Sequence, residues 1–336
     1  MKIRVLSREN LTEILEMKDV IKGVEDVYSA KAQGDAVAWP LVGYGFKNGG
    51  VMDIRSGVVF GDVNVHGAKL LNNFPENLKE NLPVFTGILM TFDSNTGLPV
   101  GVMDASYITS LRTGAAAAIG AATLARKDSK TLLLVGAGRQ SIYLLGATLL
   151  KMPGLERVIV SDPIDYDNAV RFAETIRERL KNELAIETGV GFEAAQNLKA
   201  AVSESDVILT ITRSTKPLIM KEWLKPGTHL SCIGADMEGK EEIDPEIFRI
   251  ARAFADDAKQ CCTVGEMEIP AKMGIISADS ICGEIGQVLT GQVEGRLTDE
   301  DITVFDATGL AALDLVTAKI AVKAAEEKNM GTLAEI

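Results

Sequence analysis

The sequence predicts an α/β protein of two domains, one with a doubly wound parallel sheet and one of α+β type with a mostly antiparallel sheet. Three observations carry that prediction. From residue 131 onward short apolar strands alternate with helical or loop segments, the pattern of a parallel sheet covered on both faces. Residues 42–92 are instead strand-rich, with turn clusters at Lys47-Asn48-Gly49-Gly50 and Asp93-Ser94-Asn95-Thr96-Gly97, as hairpins require. A length of 336 residues leaves room for roughly two domains at about 150 residues each.

Taken in order, residues 2–6 alternate as a strand, and Ser7 follows as an N-cap for the first of two helical stretches. The second, at about 19–33, places Val20, Val24, Val27, Tyr28 and Ala32 on one face and stops at Gly34, a C-terminal signal. Beyond the antiparallel stretch the chain turns Ala-rich from Ser106 to about Arg126, the composition of a closely packed helix. Strands follow at 131–135, 158–161, 207–211, 229–233, 253–256 and 302–305, and a final helix at about 310–328.

Composition narrows the function classes. With 35 Lys+Arg against 47 Asp+Glu, a net charge of −12 repels phosphate backbones, and no basic run is interleaved with aromatics. Nucleic acid is therefore not an expected partner. Apolar runs stop well short of the ~18 residues a membrane span needs, and Met1-Lys2-Ile3-Arg4 leads into a strand rather than a signal-peptide core. No membrane is expected and the location reads as cytoplasmic. Cys232, Cys261, Cys262 and Cys282 show no CxxC spacing and read as buried thiols of a reducing compartment. Only His66 and His229 are present, so neither a His-rich metal site nor HExxH is available and no metal is expected. Catalysis falls to Lys, Arg and Asp.

Gly136-Ala137-Gly138-Arg139-Gln140-Ser141 directly follows the apolar strand Leu132-Leu133-Leu134-Val135 and opens a helical segment. The first glycine permits the tight turn and the second lets backbone approach a pyrophosphate, while the helix start supplies N–H groups and a favourable dipole. Ser141 stands where a third small residue is usual. This is a Rossmann-type loop, and Asp162, 24 residues beyond Gly138, lies close to the separation of a ribose-binding acid. Its carboxylate would accept from ribose hydroxyls and repel a 2′-phosphate, favouring NAD(H) over NADP(H); Ser161-Asp162-Pro163 offers no adjacent Arg. The alternative is that Asp162 only caps the loop before the next helix.

Five spaced motifs then carry a resemblance: Gly67-Ala68-Lys69; the run from Met103 through Arg112-Thr113-Gly114 to Ala116; Gly136-Ala137-Gly138-Arg139-Gln140; Ile233-Gly234-Ala235-Asp236 with Gly239-Lys240; and Val304-Phe305-Asp306-Ala307-Thr308-Gly309. In order and over nearly the whole chain, they resemble the ornithine cyclodeaminase/mu-crystallin family. The resemblance implies a homodimer, with a substrate-binding and dimerisation domain from both chain ends (1–118 with 306–336) and an NAD-binding domain (119–305). It implies hydride transfer at the alpha carbon of a small amino or imino acid.

Within these motifs Arg112, expected in or near the first turn of the Ala-rich helix, is assigned to a substrate carboxylate. Lys69, its pKa lowered by burial and by Arg112, is assigned as acid/base or carboxylate partner. By the resemblance, Asp236 takes a proton from the substrate amine or positions a water. Thr113, Gly114, Thr210, Thr212 and Phe305 are further cofactor positions. The sequence also departs from the family pattern. Val42, not a cation, follows Pro40-Leu41, and Gly49-Gly50-Val51-Met52-Asp53 lacks the Glu and the Pro that accompany a distal ornithine amine. Arg55, in a stretch that reads as an insertion between Met52 and Lys69, is either the replacement cation or a solvated loop arginine. Reduction of a small ketimine or iminium acid is thus the leading mechanism, ahead of an ammonia-releasing cyclodeaminase with catalytic NAD and a non-catalytic mu-crystallin-like NAD(P)H-binding protein.

Overall fold

In the computed structural model, which describes residues 1–336, the chain divides into two units: Met1–Arg112 with Leu310–Ile336, and Thr113–Gly309. The sequence sets these divisions at 118/119 and 305/306. The first falls inside the helix Ala105–Leu124, which runs through both the expected and the observed position without a break.

In the first unit an eight-stranded sheet runs Thr332–Glu335, Lys2–Leu6, Pro99–Asp104, Phe85–Asp93, Val65–Asn73, Val51–Val59, Ala36–Ala38, with Val42–Gly45 also paired to Val51–Val59. Only the Lys2–Leu6 and Pro99–Asp104 pair is parallel. The edge strand Thr332–Glu335 has no counterpart in the sequence reading, because its short, mostly exposed run is defined by antiparallel pairing with Lys2–Leu6 rather than by its own pattern. Helix Met17–Gln33 ends at Gly34, whose φ of 89° is the left-handed cap its missing Cβ allows. Helix Ala311–Glu327 packs on this helix and on strands Val51–Val59 and Val65–Asn73. Close approach is enforced at Gly67, where a Cβ would run into the Met90 carbonyl and lie 2.9 Å from Leu315 Cδ2.

The second unit holds an all-parallel sheet in the order Gly191–Ala194, Arg157–Ser161, Thr131–Val135, Val207–Thr210, His229–Cys232, Ile302–Asp306, Ala251–Ala255, Gly283–Glu284. Strand order reverses between Thr131–Val135 and Val207–Thr210, the switch point where open α/β sheets bind ligands. The short strands Gly191–Ala194 and Gly283–Glu284 and the separate pair Thr215–Ile219 with Glu241–Ile243 escape sequence reading for want of an apolar run. All four cysteines are unpaired; Cys232 and Cys261 are buried, whereas Cys262 and Cys282 are only partly so, short of the burial expected for all four.

His229 is a core residue. Its Nδ1 and Nε2 lie 2.9 Å from Thr303 Oγ1 and Ser231 Oγ, and burial, reinforced by Arg296, pushes its pKa from 6.5 down to about 3. A folded value below the unfolded one means stability present above pH 6.5 and lost as pH falls toward 3. By pH 5 that loss is about 2 kcal/mol. Melting curves of wild type and His229→Gln should therefore converge between pH 7 and pH 5. A constant separation would show that His229 carries no proton linkage.

Candidate functional site

The first unit builds a buried charge cluster. Lys69 lies in a row with Arg55 on one neighbouring strand and Leu89 and Met103 on the other side. Paired residues of an antiparallel sheet share a face, and this face is the one that Gly67 presents to the helix bearing Leu315. Leu89 and Met103 are buried hydrophobics, so the lysine has apolar neighbours on that side and Arg55 on the other, with 0% exposure. Its Nζ is 2.7 Å from Asp314 Oδ2 and donates to Thr109 Oγ1 at 3.2 Å. Arg112 Nε donates to the other oxygen, Asp314 Oδ1, at 3.2 Å. Asp314 therefore bridges the two cations whose convergence the sequence predicts.

Burial lowers the Lys69 pKa from 10.5 to about 7; Asp314 opposes that shift, and Arg112 and Arg55 add to it. Burial works to raise the Asp314 carboxyl, but Arg112 and Lys69, with Arg55, hold it below the usual aspartate value. A lysine poised near neutrality, beside two arginines and one carboxylate, can both hold an anion and exchange a proton.

Two expectations are corrected here. Arg55 belongs to strand Val51–Val59, directly opposite Lys69, and is 8% exposed, with Asp53 Oδ2 at 3.5 Å. It is not a solvated loop arginine, because the stretch read as an insertion forms the strand and its turn. Arg112 lies two turns inside helix Ala105–Leu124, away from that helix's N-terminal N–H groups, and offers its guanidinium alone.

The second unit places the glycine loop at the end of strand Thr131–Val135. Gly136 has φ of 106°, and a Cβ there would sit 2.6 Å from the Ile211 carbonyl oxygen and 3.3 Å from Thr212 Cγ2. A Cβ on Gly138 meets nothing within 4 Å, leaving the space a pyrophosphate needs. Ser141 is buried, and its hydroxyl donates to the Gly136 carbonyl at 2.8 Å, so the serine in the third small position ties turn to helix Ser141–Lys151. Arg139 is exposed; Gln140 caps the helix with a buried Oε1 that has no hydrogen-bond partner. Gly114 brings helix Ala105–Leu124 onto the Tyr143 backbone, beside the half-buried Thr113. These features fit a dinucleotide: an open floor at Gly138 and an unused acceptor at Gln140.

Asp162 follows the neighbouring strand Arg157–Ser161. Its Oδ1 accepts from the N–H groups of Ile164 and Asp165 at 3.0 and 3.3 Å, and its Oδ2 from Asn168 Nδ2 at 2.7 Å. The loop-capping alternative is thus present in the structure. Asn168 Nδ2 also donates to the Ala137 carbonyl at 3.2 Å, which couples the acid to the glycine loop. Asp236, half-exposed beyond strand His229–Cys232, pairs with Lys240 at 2.5 Å.

Two residues assigned to the cofactor are instead internal. Phe305 is 0% exposed, and its ring fills the space a Cβ on Gly120 would take, so its side chain is helix-to-sheet packing. Thr210 is also fully buried, and its hydroxyl donates to Glu242 Oε2 at 2.6 Å. Thr212, partly exposed, donates its backbone N–H to Glu242 Oε1 at 2.6 Å. Sequence reasoning missed Asp314, Asn168 and Glu242. For Asp314 a signal existed, since one carboxylate interrupts the apolar run Ala311-Ala312-Leu313-Asp314-Leu315-Val316, and a charge amid core residues needs a partner.

A switch-point glycine loop in one unit and a desolvated lysine among arginines in the other define a Rossmann-type α/β enzyme class. Comparison with known proteins agrees. The ornithine cyclodeaminase/mu-crystallin family model matches residues 1–329. The alanine dehydrogenase of Archaeoglobus fulgidus is 34% identical over 333 residues, 99% of this chain and 98% of its own. The iminosuccinate reductase of Paracoccus denitrificans is 32% identical over 341 residues, 99% of both chains. An archaeal alanine dehydrogenase dimer with bound NAD superposes with a TM-score of 0.90 at 32% identity, covering 100% of both chains. The chain belongs to the ornithine cyclodeaminase/mu-crystallin family, whose similar members named here are NAD-dependent oxidoreductases of amino and imino acids. No helix is long and apolar enough to cross a membrane.

Proposed function

We propose that this chain is an NAD(H)-dependent oxidoreductase that reduces the C=N carbon of a small imino acid, or oxidises the corresponding amino acid in reverse. The observation that carries the reading is Lys69, buried between Arg55, Arg112 and Asp314. Arg112 and Arg55 supply charge for the substrate carboxylate, and the low dielectric around them strengthens that attraction. Lys69, near neutrality, gives a proton to the substrate nitrogen as the amine forms and takes it back in the oxidative direction. Asp236, paired with Lys240, is the second proton-handling group. When bound, NADH supplies the hydride; Gly136, Gly138, Arg139, Gln140 and Thr113 hold it, and Thr212 flanks the turn.

Asp162 supports preference for NAD(H) over NADP(H), because a carboxylate at the ribose repels a 2′-phosphate. A reductase is favoured over an ornithine cyclodeaminase because Asp53, two residues from Arg55 on the same strand, is ion-paired to it and is not available to a distal amine. A homodimer is supported by Val42, Ile54, Leu70 and Ile88, which line up in register across four strands on the face opposite Lys69. Val42 and Ile88 are 55% and 53% exposed, a surface that a second copy would cover. The cytoplasmic assignment is supported by the four unpaired cysteines.

The test is loss of NADH absorbance with a panel of 2-oxo acids plus ammonia or methylamine, cyclic ketimines and iminosuccinate, beside NADPH and L-ornithine. Stoichiometric NADH loss with an imino acid, slower with NADPH, is expected. Ammonia release from ornithine without net NADH change would instead make the chain a cyclodeaminase, and tight NADH binding without turnover of any substrate a binding protein.

A further inference from the structure

Glu242 lies outside the residues the proposed reaction uses, yet its carboxylate ties together the strand exits at the switch point. It is 0% exposed and in strand Glu241–Ile243, and three donors surround it in place of a cation. Oε2 accepts from the Thr210 hydroxyl at 2.6 Å and from the Gly234 N–H at 2.8 Å, and Oε1 accepts from the Thr212 N–H at 2.6 Å. Thr210 ends strand Val207–Thr210, and Thr212 and Gly234 each lie two residues beyond a strand end. The fit is tight: a Cβ on Gly234 would lie 2.5 Å from both Glu242 Oε1 and the Thr212 carbonyl oxygen. The Ile211 and Thr212 atoms that would meet a Cβ on Gly136 are those of this exit, so it forms the wall of the glycine turn.

Burial pushes the Glu242 carboxyl up and its three hydrogen bonds oppose that shift; an acid with three donors around it suits this task better than its amide. All three of its neighbours are donors, and two of them are backbone N–H groups on opposite oxygens. A glutamine would set its NH2 against one of those N–H groups in either orientation, leaving a buried donor unpaired.

We infer that Glu242 is a positioning residue for the dinucleotide: its carboxylate fixes Thr212, with Gly234 packed behind it, against the glycine turn at Gly136 and thereby sets the affinity for NADH. The inference rests on the dinucleotide reading of that loop. Asp236 follows Gly234 by two residues, so the same anchor holds the segment that carries it.

The test uses NADH titration by fluorescence, well below the melting transition, on wild type, Glu242→Gln, Thr210→Val and Glu266→Gln. Glu266 is an equally buried acid that accepts from the Glu242 N–H through both oxygens at 2.8 and 3.1 Å and, at Oε1, from the Ile243 N–H at 2.7 Å; a glutamine keeps Oε1, which takes both donors, so it serves as the control for loss of a neighbouring buried charge. Glu242→Gln should raise the NADH dissociation constant on the order of tenfold, the consequence of orphaning one buried donor. KM for NADH rises with it while KM for the imino acid stays. Thr210→Val, which keeps side-chain shape and removes one donor, weakens NADH by a few-fold, and Glu266→Gln leaves it at the wild-type value. A purely structural role would lower the melting temperature of Glu242→Gln but leave the dissociation constant of the folded protein unchanged. That result overturns the inference, as does wild-type affinity in Thr210→Val should Glu242→Gln fail to fold, or an equal loss in Glu266→Gln. Wild type that binds no NADH would overturn the dinucleotide reading as well, an outcome distinct from unchanged affinity in the variants.

Discussion

Lys69→Met lowers turnover of the proposed imine reduction by about 10²–10⁴-fold while the protein stays folded. Removal of a buried charge is usually costly, but the site itself disfavours this one: burial, Arg112 and Arg55 all act against the ammonium. Methionine keeps the apolar stem beside Leu89, and Asp314 retains Arg112 at 3.2 Å. The melting temperature should therefore change little. What is lost is the proton carrier, so the deficit lies in kcat, measured with saturating imino acid, and the NADH dissociation constant is unaffected. Wild-type turnover in the variant would remove Lys69 from the chemistry and leave the arginines as a simple anion site.

The same residue shows how far sequence reaches into such a site. Lys69 and Arg112 stand in two of the motifs that carry the family resemblance, and that resemblance singles them out without structure. Their partner Asp314 lies 202 residues beyond Arg112, and only the packing of helix Ala311–Glu327 on the sheet brings it there. Arg55 is legible as a cation and not as a strand residue, because Asp53-Ile54-Arg55-Ser56-Gly57 lacks a clean alternation and is defined as strand by its two neighbours. The parallel sheet is legible because its strands are continuous apolar runs, as strands buried on both faces must be. Thr210 and Phe305 mislead for a related reason: position at a strand end places a residue at the carboxyl edge of the sheet, but which way its side chain points depends on the pleat. Thr210 turns inward to Glu242 and Phe305 to Gly120.

Asp314→Asn is expected to be the more damaging change for stability. Asp314 touches Lys69 and Arg112 together, and without it three cations share a desolvated site. Breaking a buried pair from one side costs about 3–5 kcal/mol, and the lower end applies because Lys69 can shed its proton. The Lys69 pKa, which Asp314 now supports against burial and the arginines, then falls below about 7. Two measurements follow from that direction. A folded pKa lower than the unfolded value of 10.5 means a stability contribution present above pH 10.5 and lost as pH falls through the folded value. In wild type the loss is complete near pH 7; in the variant it continues to lower pH. The gap in melting temperature between the two is therefore widest below pH 7 and narrows toward pH 9. Asp314 itself titrates below the usual aspartate range, so its own proton does not enter that window. In kinetics, imine reduction needs Lys69 protonated, and the wild-type rate declines as pH rises past about 7. In Asp314→Asn that decline begins at more acidic pH, so the variant recovers on acidification. An unshifted rate profile with a pH-independent gap in melting temperature would mean that Asp314 supports packing alone and that the lysine's proton is set by other groups.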